Sequence, residues 1–97
     1  MLTHIVFFKL KNREQDNIRH VRDTLLSMKG RIPELLELEV GADIVRSARS
    51  FDLALVSKFK NLDAMQAYQV HPVHQEIIAF MREQTESSAA VDYESEA

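Results

Sequence analysis

The sequence predicts an α+β domain in which two helices cover one face of a four-stranded antiparallel sheet, in the order βαββαβ. Three observations predict it. Segments with a hydrophobic period of two, at 2–10, 36–44, 51–59 and 89–93, are interleaved with segments of helical period. Two of these strands, 2–10 and 51–59, carry apolar residues on both faces. Finally, 97 residues without an internal linker make a single domain, 1–97, around one core.

The first strand, LTHIVFFKL, places Leu2, Val6, Phe8 and Leu10 on one side and Ile5 and Phe7 on the other. Asn12 is the expected cap of the first helix, with Gln15 three residues on. In that helix Ile18, Val21, Leu25 and Met28 recur at helical spacing until Gly30 provides the stop. After Pro33, Leu36, Leu38, Val40, Ala42 and Ile44 alternate with Glu37, Glu39, Gly41 and Asp43, the pattern of a half-buried strand. The polar run 46–50 leads to a third strand with Phe51, Leu53, Leu55 and Phe59 on one face and Ala54 and Val56 on the other.

Asn61 is placed to cap a short helix, and Pro72 to open the next, because proline suits a first helical turn and pushes His71 before it out of helical geometry. Val73, His74, Ile77, Ile78 and Met81 then share an inward face. The end of the chain predicts a last strand over Ala89 to Tyr93, with Glu94 and Glu96 in a solvated tail.

This order is the split-βαβ, ferredoxin-like arrangement, which leaves one sheet face open. Ile5, Phe7, Ala54 and Val56 would form an apolar patch there of a kind monomers rarely expose. A homodimer through the open face is the expected remedy, because a chain this short buries a modest share of its surface alone.

Composition narrows function by exclusion. With 12 Lys and Arg against 15 Asp and Glu, a net charge of -3, there is no basic field to draw nucleic acid or an anionic membrane. The absence of cysteine excludes disulfides and thiolate metal sites and makes the cytoplasm the expected compartment. The apolar stretch from Leu2 to Phe8 is too short for a signal-peptide core, and no run reaches the ~18 apolar residues of a membrane span. No Gly-rich phosphate loop is present, so no cofactor is expected.

The chemistry-bearing candidates are histidines and one tyrosine. His20 lies about 200° around its helix from Ile18 and faces solvent. His4 shares the helix-facing side of the first strand, His74 the inner face of the last helix, and Tyr68 precedes the bend. Imidazole serves as general acid or base near neutral pH, and a phenol can polarise a carbonyl oxygen. The plainer reading makes each a satisfied buried polar group, with His71 a helix cap. A zinc site of His4, His71 and His74 is disfavoured because His71 lies outside the helix, so no metal is expected. Arg46 and Arg49 could grip an anion, but a solvated hairpin tip accounts for them as well.

On THIVFFKLK, FDLALVSKFKNLDAMQAYQVHPVH and VDYE, nearly the whole chain resembles the stress-responsive A/B barrel (Dabb) family. The resemblance implies a dimer whose two sheets close into an α/β barrel. It also implies a pocket between sheet and helices. In plant polyketide cyclases of this group a histidine and a tyrosine supply acid-base chemistry, and they fall on His74 and Tyr68. A first-strand histidine matches His4, while a further pocket histidine of the cyclases falls on Leu53. Cofactor-free oxygenases and haem-degrading barrels share only the architecture.

Two readings follow. In one, a stress-responsive dimer binds a small molecule in the sheet-helix pocket, with His74, Tyr68 and His4 acting on a carbonyl and His71 and Leu53 nearby. In the other, the dimer is a non-catalytic protective or binding module, and the same residues form a structural hydrogen-bond network. A pocket of at least ~300 Å³ reaching His74 would favour the first, and a filled interior the second.

Overall fold

A computed structural model describes residues 1–95. The elements are β1 (Leu2–Leu10), α1 (Gln15–Leu26), β2 (Glu37–Ala42), β3 (Leu53–Phe59), α2 (Leu62–Val70), α3 (Pro72–Gln84) and β4 (Thr85–Glu94). This is the expected βαββαβ order with the second helix in two pieces. The strands form one antiparallel sheet in the order β2-β3-β1-β4. Among the described residues no helix is long and apolar enough to cross a membrane.

The register assigns every side chain to a face. Val6 lies opposite Leu55 and Ala90, and Phe8 opposite Leu53 and Ser88, so the even residues of β1 meet the odd residues of β3 on the helix side. Ile18, Val21 and Leu25 of α1 and Met65, Ile77 and Met81 of α2 and α3 close over them as one buried core. On the opposite face Ile5, Phe7, Ala54 and Val56 line up with Val91 of β4. There Phe7 is 42% exposed and Val91 59% exposed.

Several local expectations are corrected. The N-cap of α1 is Glu14, and Asn12 instead accepts a hydrogen bond from the Glu14 N–H at 3.1 Å. The helix ends at Leu26, and a series of turns carries the chain to Gly30, whose φ of 80° suits glycine. β2 runs only from Glu37 to Ala42, so Leu36 before it and Ile44 after it are exposed, Ile44 at 91%, despite their phase. β4 begins at Thr85, four residues before Ala89. Glu96 lies outside the described residues.

The largest departure surrounds Asp52, which is wholly buried. Its carboxylate accepts from the Leu10 N–H at 2.7 Å, Arg13 Nε at 3.0 Å and Arg46 Nη2 at 2.8 Å. Arg46 is therefore a structural ion-pair partner and no solvated tip, while Arg49 is exposed. Arg46 adopts φ 57°, a strain of about 1 kcal/mol for a non-glycine residue. Asp43 offsets it by accepting the Arg46 N–H at 2.7 Å. Burial raises the Asp52 pKa, but the Leu10 N–H and the two guanidinium groups outweigh it and hold the carboxyl below its ordinary value. Asp52 also interrupts the alternation before β3, so Phe51 packs beside Phe7, ring centroids 5.9 Å apart, and not with Leu53.

Candidate functional site

Asn61 starts α2 as expected, its side chain accepting the Ala64 N–H at 2.9 Å. Met65 and Tyr68, three residues apart, then face inward and are buried. At His71 the backbone turns extended (φ -65°, ψ 138°), and His71 Nδ1 accepts the Val73 N–H at 3.1 Å to cap α3 before Pro72. The break folds α3 back so that His74 stands against Tyr68, ring centroids 4.2 Å apart. His4 approaches from β1, 6.4 Å from the Tyr68 ring, and Phe59 packs on that tyrosine at 4.8 Å.

His4, Tyr68 and His74 line a cavity of about 240 Å³. Its remaining walls are mostly apolar, with Val6, Phe8, Leu25, Leu55, Ile77 and Met81 prominent beside the polar Gln69 and Ser88. The interior is therefore not filled, although the volume falls below the ~300 Å³ at which drug-sized sites begin. His71 and Leu53 do not line it. His71 is committed to its cap, and Leu55, opposite Val6, is the β3 residue that reaches the cavity. Leu53, two residues on toward Asp52, borders a larger depression of about 430 Å³ with Phe7, Phe51 and Arg49, which no histidine or tyrosine lines. Among the described residues no group of three or more His, Cys, Asp or Glu side chains gathers as a metal site.

The three rings make no hydrogen bonds to one another. His74 Nδ1 lies 3.1 Å from the Gln69 carbonyl, and His4 Nδ1 bonds Asp92. Carbonyl and carboxylate oxygens accept, so each Nδ1 carries its hydrogen and each Nε2 keeps a lone pair in the neutral ring. Burial is the first cause that lowers the His74 pKa; His4 and His71 lower it further, against the Gln69 carbonyl, which raises it. Neutral His74 is thus favoured, with Nε2 unprotonated and able to accept a proton. Burial pushes the Tyr68 phenol well above its ordinary value, so Tyr68 stays an O–H donor. Among the described residues that hydroxyl has only the Met28 sulfur, at 3.9 Å, as a weak acceptor.

Asp92 is the site residue that sequence reasoning did not assign. Its signal was available in principle, because an antiparallel β1-β4 pair sets Asp92 opposite His4 on the helix side. Finding it required knowing that β4 borders β1.

The chain matches the family model described as the stress responsive A/B barrel domain over residues 2–95. It belongs to that family. A dimeric ferredoxin-like protein of unknown function from Thermobifida fusca shares 29% identity and a TM-score of 0.82, covering 95% of this chain and 88% of its own. A dimeric protein of unknown function and ferredoxin-like fold from Bacteroides fragilis is also 29% identical, with a TM-score of 0.81 and coverage of 97% and 95%. The hydroxynitrile lyase of Passiflora edulis superposes with a TM-score of 0.84 at 22% identity, over 99% of this chain and 94% of its own, a likeness that shows the fold alone.

Proposed function

We propose that this Dabb protein is a homodimer in which each subunit binds a small carbonyl compound between sheet and helices, where His74 moves a proton. The observation that supports it most is the arrangement of unsatisfied groups. A neutral imidazole and a phenol, each without a strong partner for its reactive atom, border one apolar cavity. The rings do not bond one another, and the bonds that His74 and His4 make, to the Gln69 carbonyl and to Asp92, use Nδ1 and leave Nε2 for a ligand.

In this reading the carbonyl oxygen of the ligand accepts from the Tyr68 O–H. Nε2 of His74 takes a proton from the adjacent carbon; the C–H electron pair becomes the enolate, whose negative oxygen the phenol stabilises. Return of the proton to carbon completes an exchange; alternatively the enolate carbon attacks a second carbonyl and the resulting alkoxide takes the proton back from His74 Nε2, which restores the neutral ring. Asp92 holds His4 by Nδ1, which leaves its Nε2 as a second polar atom for the ligand at the same cavity.

The dimer is supported by the dimeric relatives from Thermobifida fusca and Bacteroides fragilis and by the exposed Phe7, Val91 and Tyr93 of the open face. A single experiment tests the chemistry without a known substrate. Small ketones and aldehydes are incubated with the protein in D₂O, and loss of the proton signal beside the carbonyl is followed by NMR. Exchange that His74→Gln abolishes is expected. No accelerated exchange in any ketone or aldehyde, with no ligand-induced shift of the His74 ring signals, would overturn the proposal.

A further inference from the structure

The walls Phe8, Ile78, Met81 and Ser88 of the His74 cavity also border a second hollow of about 240 Å³, which adds Arg82 and Thr85. Four shared walls make the two hollows neighbouring lobes along the seam between α3 and β4. The chain builds the second lobe in two ways. On α3, His74, Ile78 and Arg82 stand at i, i+4 and i+8, one stripe on which the ends lie about 12 Å apart along the axis. On β4, a register shift between Lys9 and Leu10 sets Thr85, rather than Glu86, opposite Leu10. Thr85 and Ser88 therefore share the helix-facing side although they are an odd number apart, a side-chain re-aiming that regular pleating forbids and a bulge permits.

What the bulge delivers is a polar atom. Thr85 Oγ1 is buried and has no hydrogen-bond partner among the described residues. A hydroxyl in that condition costs stability that a valine of the same shape would not, so it calls for an explanation. Arg82 takes part in no ion pair among the described residues. Helical side chains lean toward the N-terminus, which for Arg82 is toward Ile78 and the shared wall.

We infer that this second lobe is a subsite for a carboxylate on the far end of the ligand, a conclusion that rests on the reading of the His74 cavity given above. Arg82 takes the carboxylate with its guanidinium fork, and rotation about the Thr85 Cα–Cβ bond brings its buried O–H out to the same group. Phe8, Ile78 and Met81 cover the stretch between. The ligand class becomes a carbonyl compound with an apolar middle and a carboxylate within roughly 12 Å of the reacting end.

The test uses the full chain and a chain-length series of carboxylates that end in a methyl ketone, each paired with the neutral methyl ketone of equal length. Binding is read from the His74 ring signals by NMR. At the best length the carboxylate is expected to bind at least ~10-fold more tightly than its neutral partner. Arg82→Gln should erase that difference and leave the neutral ketone unaffected. Thr85→Val should reduce the difference a few-fold while the melting temperature stays level or rises. Equal binding of the pair at every length, or a difference that survives Arg82→Gln, overturns the subsite and leaves the cavity reading standing. If neither ligand of any pair shifts the His74 signals, both readings fall.

Discussion

His74 and Tyr68 stand with ring centroids 4.2 Å apart, yet each sends its hydrogen bond elsewhere, His74 to the Gln69 carbonyl and Tyr68 to the Met28 sulfur. Packing without mutual bonding separates what the two rings do for stability from what they offer a ligand. Tyr68→Phe removes only a weak O–H···S contact, so a change of less than about 1 kcal/mol is expected in thermal unfolding at fixed protein concentration. A loss of ~2 kcal/mol or more would make the hydroxyl part of the core's scaffolding.

The depressed pKa of His74 sets a pH signature. Its folded value lies below the ordinary 6.5, so folding holds the ring neutral, and the stability this contributes is present above pH 6.5. It is lost as pH falls through the folded value. The melting temperature should therefore decline as pH falls below 6.5 and stop declining on this account once the folded value is passed, and His74→Gln should flatten part of the decline. Proton-exchange activity should rise with pH through an apparent pKa below 6.5 and level off by neutrality.

Loss of the base should be the most damaging change at the site. His74→Gln is expected to lower the exchange rate roughly 100-fold or more, the usual scale of general acid-base catalysis. Asp92→Asn should cost less, on the order of 10-fold, because it acts through His4 by letting that ring turn or change tautomer. The His4 ring signals in NMR should report the altered tautomer, which a merely stabilising role of Asp92 would leave unmoved.

Asp52 should behave as a structural anchor with no bearing on ligand affinity. Asp52→Ala strands Arg13 and Arg46 and leaves the Leu10 N–H unsatisfied, for a loss of about 3 kcal/mol in denaturant unfolding. Its lowered pKa carries the usual carboxylate sign: the stabilisation holds above pH 3.8 and disappears as pH falls below it through the folded value.

The open face can be tested by charge. The protein should sediment as a dimer at micromolar concentration, and Phe7→Glu with Val56→Glu should yield monomers of lower thermal stability. A wild-type monomer under those conditions would remove the dimer from the proposal.

The strands, the Asn61 cap and the break at His71 were legible in the sequence because each rests on local chemistry: alternation, a side-chain acceptor, a proline. The grouping of His4, Tyr68 and His74 was legible too, since strand parity and helical spacing determine which way a side chain points. What escaped depended on partners distant in sequence. Ile44 continues the phase of β2, but the Asp43 N–H bonds to the Asp52 carbonyl and the regular strand has already ended at Ala42. Phe51 broke parity because the neighbouring Asp52 is held by the end of β1 at Leu10, by Arg13 in the next loop and by Arg46 of its own loop. His71 and Leu53 were suggested by proximity in sequence or by family pattern, and the cap and the β3 register take them away from the cavity.

β1 lies inside the sheet with His4 on one side and Ile5 on the other, so consecutive residues serve the cavity and the open face. A mutation that widens the cavity through this strand is one peptide unit from the surface on which self-association is proposed to depend. The same holds for β4, where Val91 and Tyr93 face outward beside Asp92, so a new ligand preference is inherited more easily through α3 than through either strand. Diverging copies of such a gene should change their chemistry along that helix while remaining able to recognise each other.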